Sequence, residues 1–323
     1  MNIPYHELKK QFETILLKYG FEKQKAALCA NIFANNSRDG VYSHGLNRFA
    51  TFIQYVKDGH INVQAEPETI NSEGVIEHWD GHLAPGMYTA SLAMQRAIML
   101  AKENSIGCVT VKNTNHWMRG GTYGWQAADA GCIGICITNT IANMPPWGGI
   151  KPSLGNNPLV IAVPRREGHV VLDMAMSQFS YGKLQEYQLA DKELPVPGGY
   201  DNEGVLTTDA KKIRESWRTL PIGYWKGSGL SLMLDLLVAG LSGGRTVAQI
   251  TTQGEEYGLS QIFICINAQN LSASIAEEII AFAKSSSSNP IYYPGEKTLA
   301  TRKKNLEAGI PVDDKIWKQA LTL

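Results

Sequence analysis

The chain has 323 residues, 44% of them hydrophobic and 19% charged, with 30 basic side chains balancing 30 acidic ones. That length is enough to bury a sizeable core in one large domain or two to three smaller ones. The balanced charge offers no basic field for nucleic acid or an anionic membrane, and no apolar run approaches the ~20 residues that span a bilayer.

Met1-Asn2-Ile3-Pro4 leads straight into a helical pattern, without the basic segment and apolar run of an export signal, and the expectation is a cytoplasmic chain. Leu8, Phe12, Ile15, Leu16 and Tyr19 share one face of a first helix, which Gly20 ends. Ala26, Ala27, Leu28, Ile32 and Phe33 mark a second helix. Phe49, Phe52, Ile53 and Val56 mark a third, closed by Gly59. Residues 64–72 are polar, contain Pro67, and read as a linker into a second unit.

From residue 75 the pattern alternates between strand and helix. Strands are expected at 76–79, 107–111, 133–138, 159–163, 170–174 and 262–266, and helices at 87–103, 120–130, 228–241, 271–284, 297–308 and 313–323. The neighbouring strands 159–163 and 170–172 have no helix between them. That argues for an α/β fold with a large mixed, mostly antiparallel sheet. The expected division is a helical region over 1–72, an α/β body over 73–290, and a helical segment over 291–323 that returns to the opening helices.

Five cysteines, Cys29, Cys108, Cys132, Cys136 and Cys265, lie in apolar surroundings and read as small buried hydrophobes in a reducing compartment. His78, Asp80 and His82 cluster on what reads as a loop, too incomplete a ligand set for a metal, and none is expected.

Four stretches carry chemistry. In Val41-Tyr42-Ser43-His44-Gly45-Leu46-Asn47-Arg48, His44 falls on a turn at a helix entrance, with Ser43 as cap and Arg48 one turn on, facing the same way. An imidazole and a guanidinium side by side suit a carbonyl compound bearing an acid group. The alternative is a turn histidine beside a solvated helix charge. Asn115-His116 follows a strand, where polar groups commonly face a ligand. Asp173 has a similar strand-to-turn setting, or is a helix cap. Trp225-Lys226-Gly227-Ser228-Gly229 offers a flat ring, an ammonium and glycines at a helix start, which suits a pyrophosphate or is simply a glycine-rich helix entrance. No GxGxxG follows a strand, so a dinucleotide would need another arrangement.

Ser43-His44-Gly45 with Arg48, Asn115-His116, Gly155-Asn156-Asn157-Pro158-Leu159, Asp173-Met174-Ala175 with Ser177, Lys226-Gly227, and Pro294-Gly295-Glu296 run in order along nearly the whole chain. Each is weak alone. The ordered set resembles the type-2 malate/L-lactate dehydrogenase family, a non-Rossmann group of NAD(P)-dependent 2-keto-acid oxidoreductases. The resemblance implies a homodimer whose mostly antiparallel sheet holds the dinucleotide, with the helical N-terminal region supplying the catalytic histidine.

Carried over residue by residue, His44 becomes the proton donor. Val171, Leu172, Asp173, Met174, Ala175, Met176 and Ser177, Trp225 with Lys226, and Gly295 with Glu296 and Lys297 become the cofactor contacts. Ser43, Arg48, Asn115 and His116 are the substrate contacts that position and chemistry suggest, with His116 competing as donor. NADH is the expected cofactor. The charge of Lys297, at a position that varies among relatives, keeps NADPH open. Met176 departs from the threonine of many relatives and removes one hydroxyl contact.

Within the family, the bulky Asn115-His116-Trp117-Met118-Arg119-Gly120-Gly121, with Met144-Pro145-Pro146-Trp147-Gly148 and Phe179-Ser180-Tyr181-Gly182, is similar to members acting on an open-chain sugar acid. Other 2-keto or 2-hydroxy acids, such as malate, lactate, ureidoglycolate or a cyclic imino acid, are the nearer alternative. A non-catalytic sugar-acid binding protein is the remote one.

Overall fold

Side chains alternate along the strand Ile106–Thr114, with Val109 and Val111 facing one side and Cys108 the other, all buried. A strand apolar on both sides belongs at the centre of a sheet with two covered faces. A computed structural model describes residues 1–323, the side chain of Ala273 excepted. Seven strands lie side by side in the order Glu68–Glu73, Ile76–Asp80, Ile106–Thr114, Leu259–Asn267, Cys132–Thr138, Leu159–Val163 and Val170–Met174. Ile76–Asp80 and Ile106–Thr114 pair in parallel, and every other neighbouring pair is antiparallel. The mixed, mostly antiparallel sheet read from the strand spacing is the one that forms.

One face is covered by helices Gly86–Asn104 and Gly121–Asp129, whose Ala90, Ala93, Ala97 and Ala127 pack on the sheet. Small residues permit this close approach: a Cβ on Gly107 would lie 2.4 Å from the Ala97 carbonyl oxygen. The other face is covered by helix Trp225–Ser242 through Leu234 and Val238, against Ile137, Met176 and Ile262. This helix is apolar on its outer side too: Trp225, Leu232, Met233, Leu236 and Leu241 are exposed.

Helices Tyr5–Lys18, Lys23–Arg38 and Leu46–Lys57 build a separate core around Phe12, Phe33 and Phe49, the Phe12 and Phe49 rings 4.4 Å apart. The end of the chain completes it. Ile310, Trp317 and Ala320 join this core, Asn2–Ile3 pairs with Ile310–Pro311, and the Met1 amino group bonds Asp314 at 3.0 Å.

Several local expectations change. Residues 64–72 are not all linker, because Glu68–Glu73 forms the edge strand of the sheet. All its side chains are exposed, so it has no apolar alternation to read. Ser43 does not cap the third helix. The Leu46 N–H donates instead to Ser37 Oγ, 3.0 Å away on the preceding helix. His78 and Asp80 lie on a strand, not a loop. The His78 ring is 2.9 Å from Thr110 Oγ1 and so turns away from His82, which pairs with Glu68. Among the described residues no group of three metal-binding side chains converges. Between the last sheet strand and helix Trp225–Ser242, helices Tyr181–Leu189 and Ala210–Ser216 enclose a small core of Leu184, Leu194, Ala210 and Ile213. With so few apolar residues split by loops, no periodicity announces these helices. All five cysteines are buried and free.

Candidate active site

A cavity of about 1080 Å³ opens where the N-terminal helices meet the ends of the central strands. His44 enters it from the short turn Tyr42–His44, held by the Asn36 side-chain amide donating to the His44 carbonyl at 2.9 Å. Gly45 is required next: a Cβ there would sit 2.2 Å from Ser37 Oγ and break the contact that starts the third helix. Ser43 Oγ lies 3.1 Å from His44 Nδ1. The His44 ring stacks on His116, centroids 5.6 Å apart and planes within 8°.

The two rings are not equivalent. Met118, with φ +65°, turns its loop back so that its N–H donates to His116 Nδ1 at 3.0 Å. A nitrogen that accepts an N–H bears no proton, so His116 is neutral with its hydrogen on Nε2. His44 is left as the ring free to take up and release a proton. Burial, then the neighbouring Arg48 and Arg119, pushes its pKa down to about 4. Burial, Arg48 and His44 hold His116 well below the usual histidine value.

Arg48 lines the same cavity one turn along the third helix, and among the described residues no carboxylate pairs with it. A partly buried guanidinium that no carboxylate contacts directly has its donors open to an anion. Asn115 lies outside this cavity's lining and borders a small hollow shared with Arg48 and His116. Its amide nitrogen donates to the carbonyls of His60, Leu83 and Ala84, and it stands behind the cavity wall, fixing the loop that carries His116. Trp117 and Met118 touch the cavity, but their bulk is buried in the two cores.

At the far side, Val171, Leu172, Asp173 and Ala175 line the cavity along the sheet's outer strand, opposite Gly295 and Lys297. The Val171 N–H donates to the Pro294 carbonyl at 2.9 Å. Gly295, with φ +95°, begins helix Glu296–Ala308 where a Cβ would press within 3.3 Å of Val171 N. Asp173 accepts the Gly121 N–H at 2.7 Å, and burial raises its pKa against the pull of Arg119 and that bond. Met174, Met176, Ser177 and Glu296 lie outside the cavity lining. Met176 is buried under helix Trp225–Ser242, Ser177 Oγ donates to the Phe179 carbonyl, and Glu296 accepts from Lys284. Trp225 and Lys226 stand exposed on the outer side of the molecule, away from this chain's own cavity.

The sequence reading assigned no role to Asp39. Asp39 accepts from Arg38, Arg119 and Arg302 while Arg119 also reaches Asp173 at 3.9 Å, and these ion pairs join three distant elements. No local pattern signals a carboxylate whose partners lie so far away in the chain.

The cavity is large enough for an extended dinucleotide beside a small acid. An open strand edge and the start of a helix at Gly295 supply backbone N–H groups of the kind that hold phosphates. The residues present therefore fit a nicotinamide dinucleotide. An imidazole and a guanidinium on one cleft of this size, on a sheet of this topology, mark an oxidoreductase of keto or hydroxy acids that does not use the Rossmann arrangement. The chain belongs to the malate/L-lactate dehydrogenase family, whose model matches residues 3–320. It is 45% identical to a 2,3-diketo-L-gulonate reductase of Citrobacter koseri and 44% identical to one of Klebsiella pneumoniae, over 100% of each chain. Its fold superposes on the malate dehydrogenase of Entamoeba histolytica with a TM-score of 0.93, at 26% identity over 99% of this chain and 96% of that one.

Proposed function

We propose that this enzyme reduces 2,3-diketo-L-gulonate to 3-keto-L-gulonate with NADH, His44 donating the proton. The observation that carries the reading is His44 beside an unpaired Arg48 in one cavity, in a chain similar end to end to reductases of that name. When bound, the reduced nicotinamide supplies a hydride to the keto carbon. Protonated His44 hands its proton to the carbonyl oxygen as negative charge develops there, completing the alcohol. Arg48 grips the substrate carboxylate and fixes which carbonyl faces His44. His116, with its hydrogen on Nε2, donates to the second oxygen. Backbone groups of Val171, Leu172, Asp173, Ala175 and Gly295 would hold the dinucleotide, with Lys297 near its polar end. Steady-state NADH oxidation with this sugar acid, beside pyruvate, oxaloacetate and an NADPH control, tests the assignment. Turnover only with a simple keto acid would keep the family and discard the substrate.

Arg48 and His44 are coupled. Burial first, and then the Arg48 guanidinium, disfavours the imidazolium, so in the free enzyme the protonated fraction of His44 falls as pH rises above about 4. kcat/KM for reduction, which reports the free enzyme, should fall over that range, while kcat, reporting the complex with the carboxylate on Arg48, should fall only at higher pH. Arg48→Gln should raise KM by about 10²-fold through the lost charge-assisted pair and move the kcat/KM limb upward. An unmoved limb would separate the two residues.

We also assign the exposed apolar side of helix Trp225–Ser242 to a homodimer interface, which would bring Trp225 and Lys226 to the partner's cofactor. Apolar area of this extent on one helix is characteristic of an interface. Leu236→Asp should yield a folded monomer in analytical ultracentrifugation with greatly reduced activity. A dimer that survives the change would place the interface elsewhere. The free, buried cysteines support a reducing, cytoplasmic setting, and no helix of the described residues is long and apolar enough to cross a membrane.

A further inference from the structure

One charged group in the cavity has no task in the mechanism above. Glu256 lies on the loop between helix Val247–Thr252 and strand Leu259–Asn267, and lines the cavity close enough to Arg48 for their charges to interact. Its neighbours anchor the loop from behind. Tyr257 stacks on His60 with centroids 4.5 Å apart, the Gln253 side-chain amide donates to the Glu255 and Tyr257 carbonyls at 2.8 and 2.6 Å, and the Tyr55 hydroxyl donates to Glu255 at 3.0 Å. Gly258, at φ +66°, passes where any side chain would strike the Arg245 guanidinium.

Glu256 is thereby held at the cavity wall, where Oε2 accepts the Ile141 N–H at 3.1 Å. Among the described residues no lysine, arginine or histidine forms an ion pair with it. An ionised carboxylate has about four acceptor positions, and the protein fills one. Burial raises its pKa, with Arg48 and the Ile141 N–H pulling the other way, as befits a carboxylate short of donors. Glu256 is half-buried, so its open acceptor positions face the cavity, where a ligand hydroxyl would fill one.

We propose that Glu256 selects substrates with a hydroxylated chain: the substrate's carboxylate pairs with Arg48 while a chain hydroxyl donates to Glu256. This rests on the sugar-acid reading above. The same carboxylate repels a second acid group and turns away dicarboxylic keto acids, and it gains nothing from a short keto acid ending in a methyl. Glu256 is thus a specificity residue rather than a proton carrier.

The test compares Glu256→Ala and Glu256→Gln with the unmodified enzyme on 2,3-diketo-L-gulonate, oxaloacetate and pyruvate, with NADH affinity and thermal midpoint measured as controls of fold. In Glu256→Ala, kcat/KM for the sugar acid should fall about 10- to 100-fold, carried mostly by KM, while pyruvate stays near its original value. Glu256→Gln should raise kcat/KM for oxaloacetate. An equal loss on all three acids, or a loss in kcat at unchanged KM, overturns the proposal. If the unmodified enzyme ignores the sugar acid yet reduces another keto acid, the substrate reading alone fails. Glu256 then stands or falls on the oxaloacetate gain.

Discussion

His44→Asn is expected to lower kcat for reduction by about 10²- to 10⁴-fold, the contribution of a positioned general acid, with NADH affinity little changed. Asparagine keeps a polar side chain of similar reach but has no proton to cycle near neutrality. His44 lies at the cavity wall and not in a core, so the loss should fall on chemistry rather than on folding. His116→Asn is the informative partner. Its ring is held neutral by the Met118 N–H, so its replacement should weaken substrate binding and leave the pH dependence of kcat in place. In His44→Asn that pH dependence should disappear. Near-normal turnover in His44→Asn, with the pH limb lost only in His116→Asn, would transfer the proton to the second ring.

Asp39→Asn should cost about 3–5 kcal/mol of unfolding free energy, because removing one partner of a buried ion pair strands the others. Asp39 is 4% exposed in its side chain; it accepts Arg302 Nε and Nη2, each at 2.8 Å, Arg119 Nη1 at 2.9 Å and Arg38 Nε at 2.8 Å. Arg302 lies on helix Glu296–Ala308 and Arg119 on the loop beside His116, so one carboxylate clamps the N-terminal helices to both sides of the cavity. Without it, Arg119, at 7% exposure, retains only Asp173 at 3.9 Å. Urea titration at fixed protein concentration measures the loss. A change below about 1 kcal/mol would demote the cluster to the level of a surface pair. The sign with pH follows. Burial favours the neutral acid, but the Arg302 and Arg38 hydrogen bonds and Arg119 outweigh it, and the Asp39 pKa is lowered. Its stabilisation is therefore present above the ordinary carboxylate value and lost as pH falls below it. The asparagine variant should lack that acid limb.

Much of the architecture was legible because it is written in local periodicity. The faces of the three opening helices, the strands 133–138 and 159–163, and the uninterrupted pair 159–163 and 170–174 need only apolar spacing to be recognised. The candidate site stretch was legible for a related reason: His44 and Arg48 are close in sequence, and the short turn Tyr42–His44 runs directly into helix Leu46–Lys57, so both reach one cavity. Glu68–Glu73 was missed because an edge strand exposed on both faces has no apolar pattern, and helices Tyr181–Leu189 and Ala210–Ser216 because their common core is assembled from scattered residues. Asn115 was only half legible. Residue type marks an amide at a strand end as polar, but only the fold reveals that its nitrogen donates to three backbone carbonyls while its Oδ1 is left without a partner.

The sequence by itself determined the fold class, the helix and strand order and the His44–Arg48 pair, since each depends on residues a few positions apart. Tertiary structure alone decided that Glu256 and Arg48 line one cavity, and that Asp39 ties Arg302 to Arg119. Those outcomes depend on hydrogen bonds and charges between residues far apart in the chain, and no local pattern encodes which distant group will fill an acceptor or leave it open.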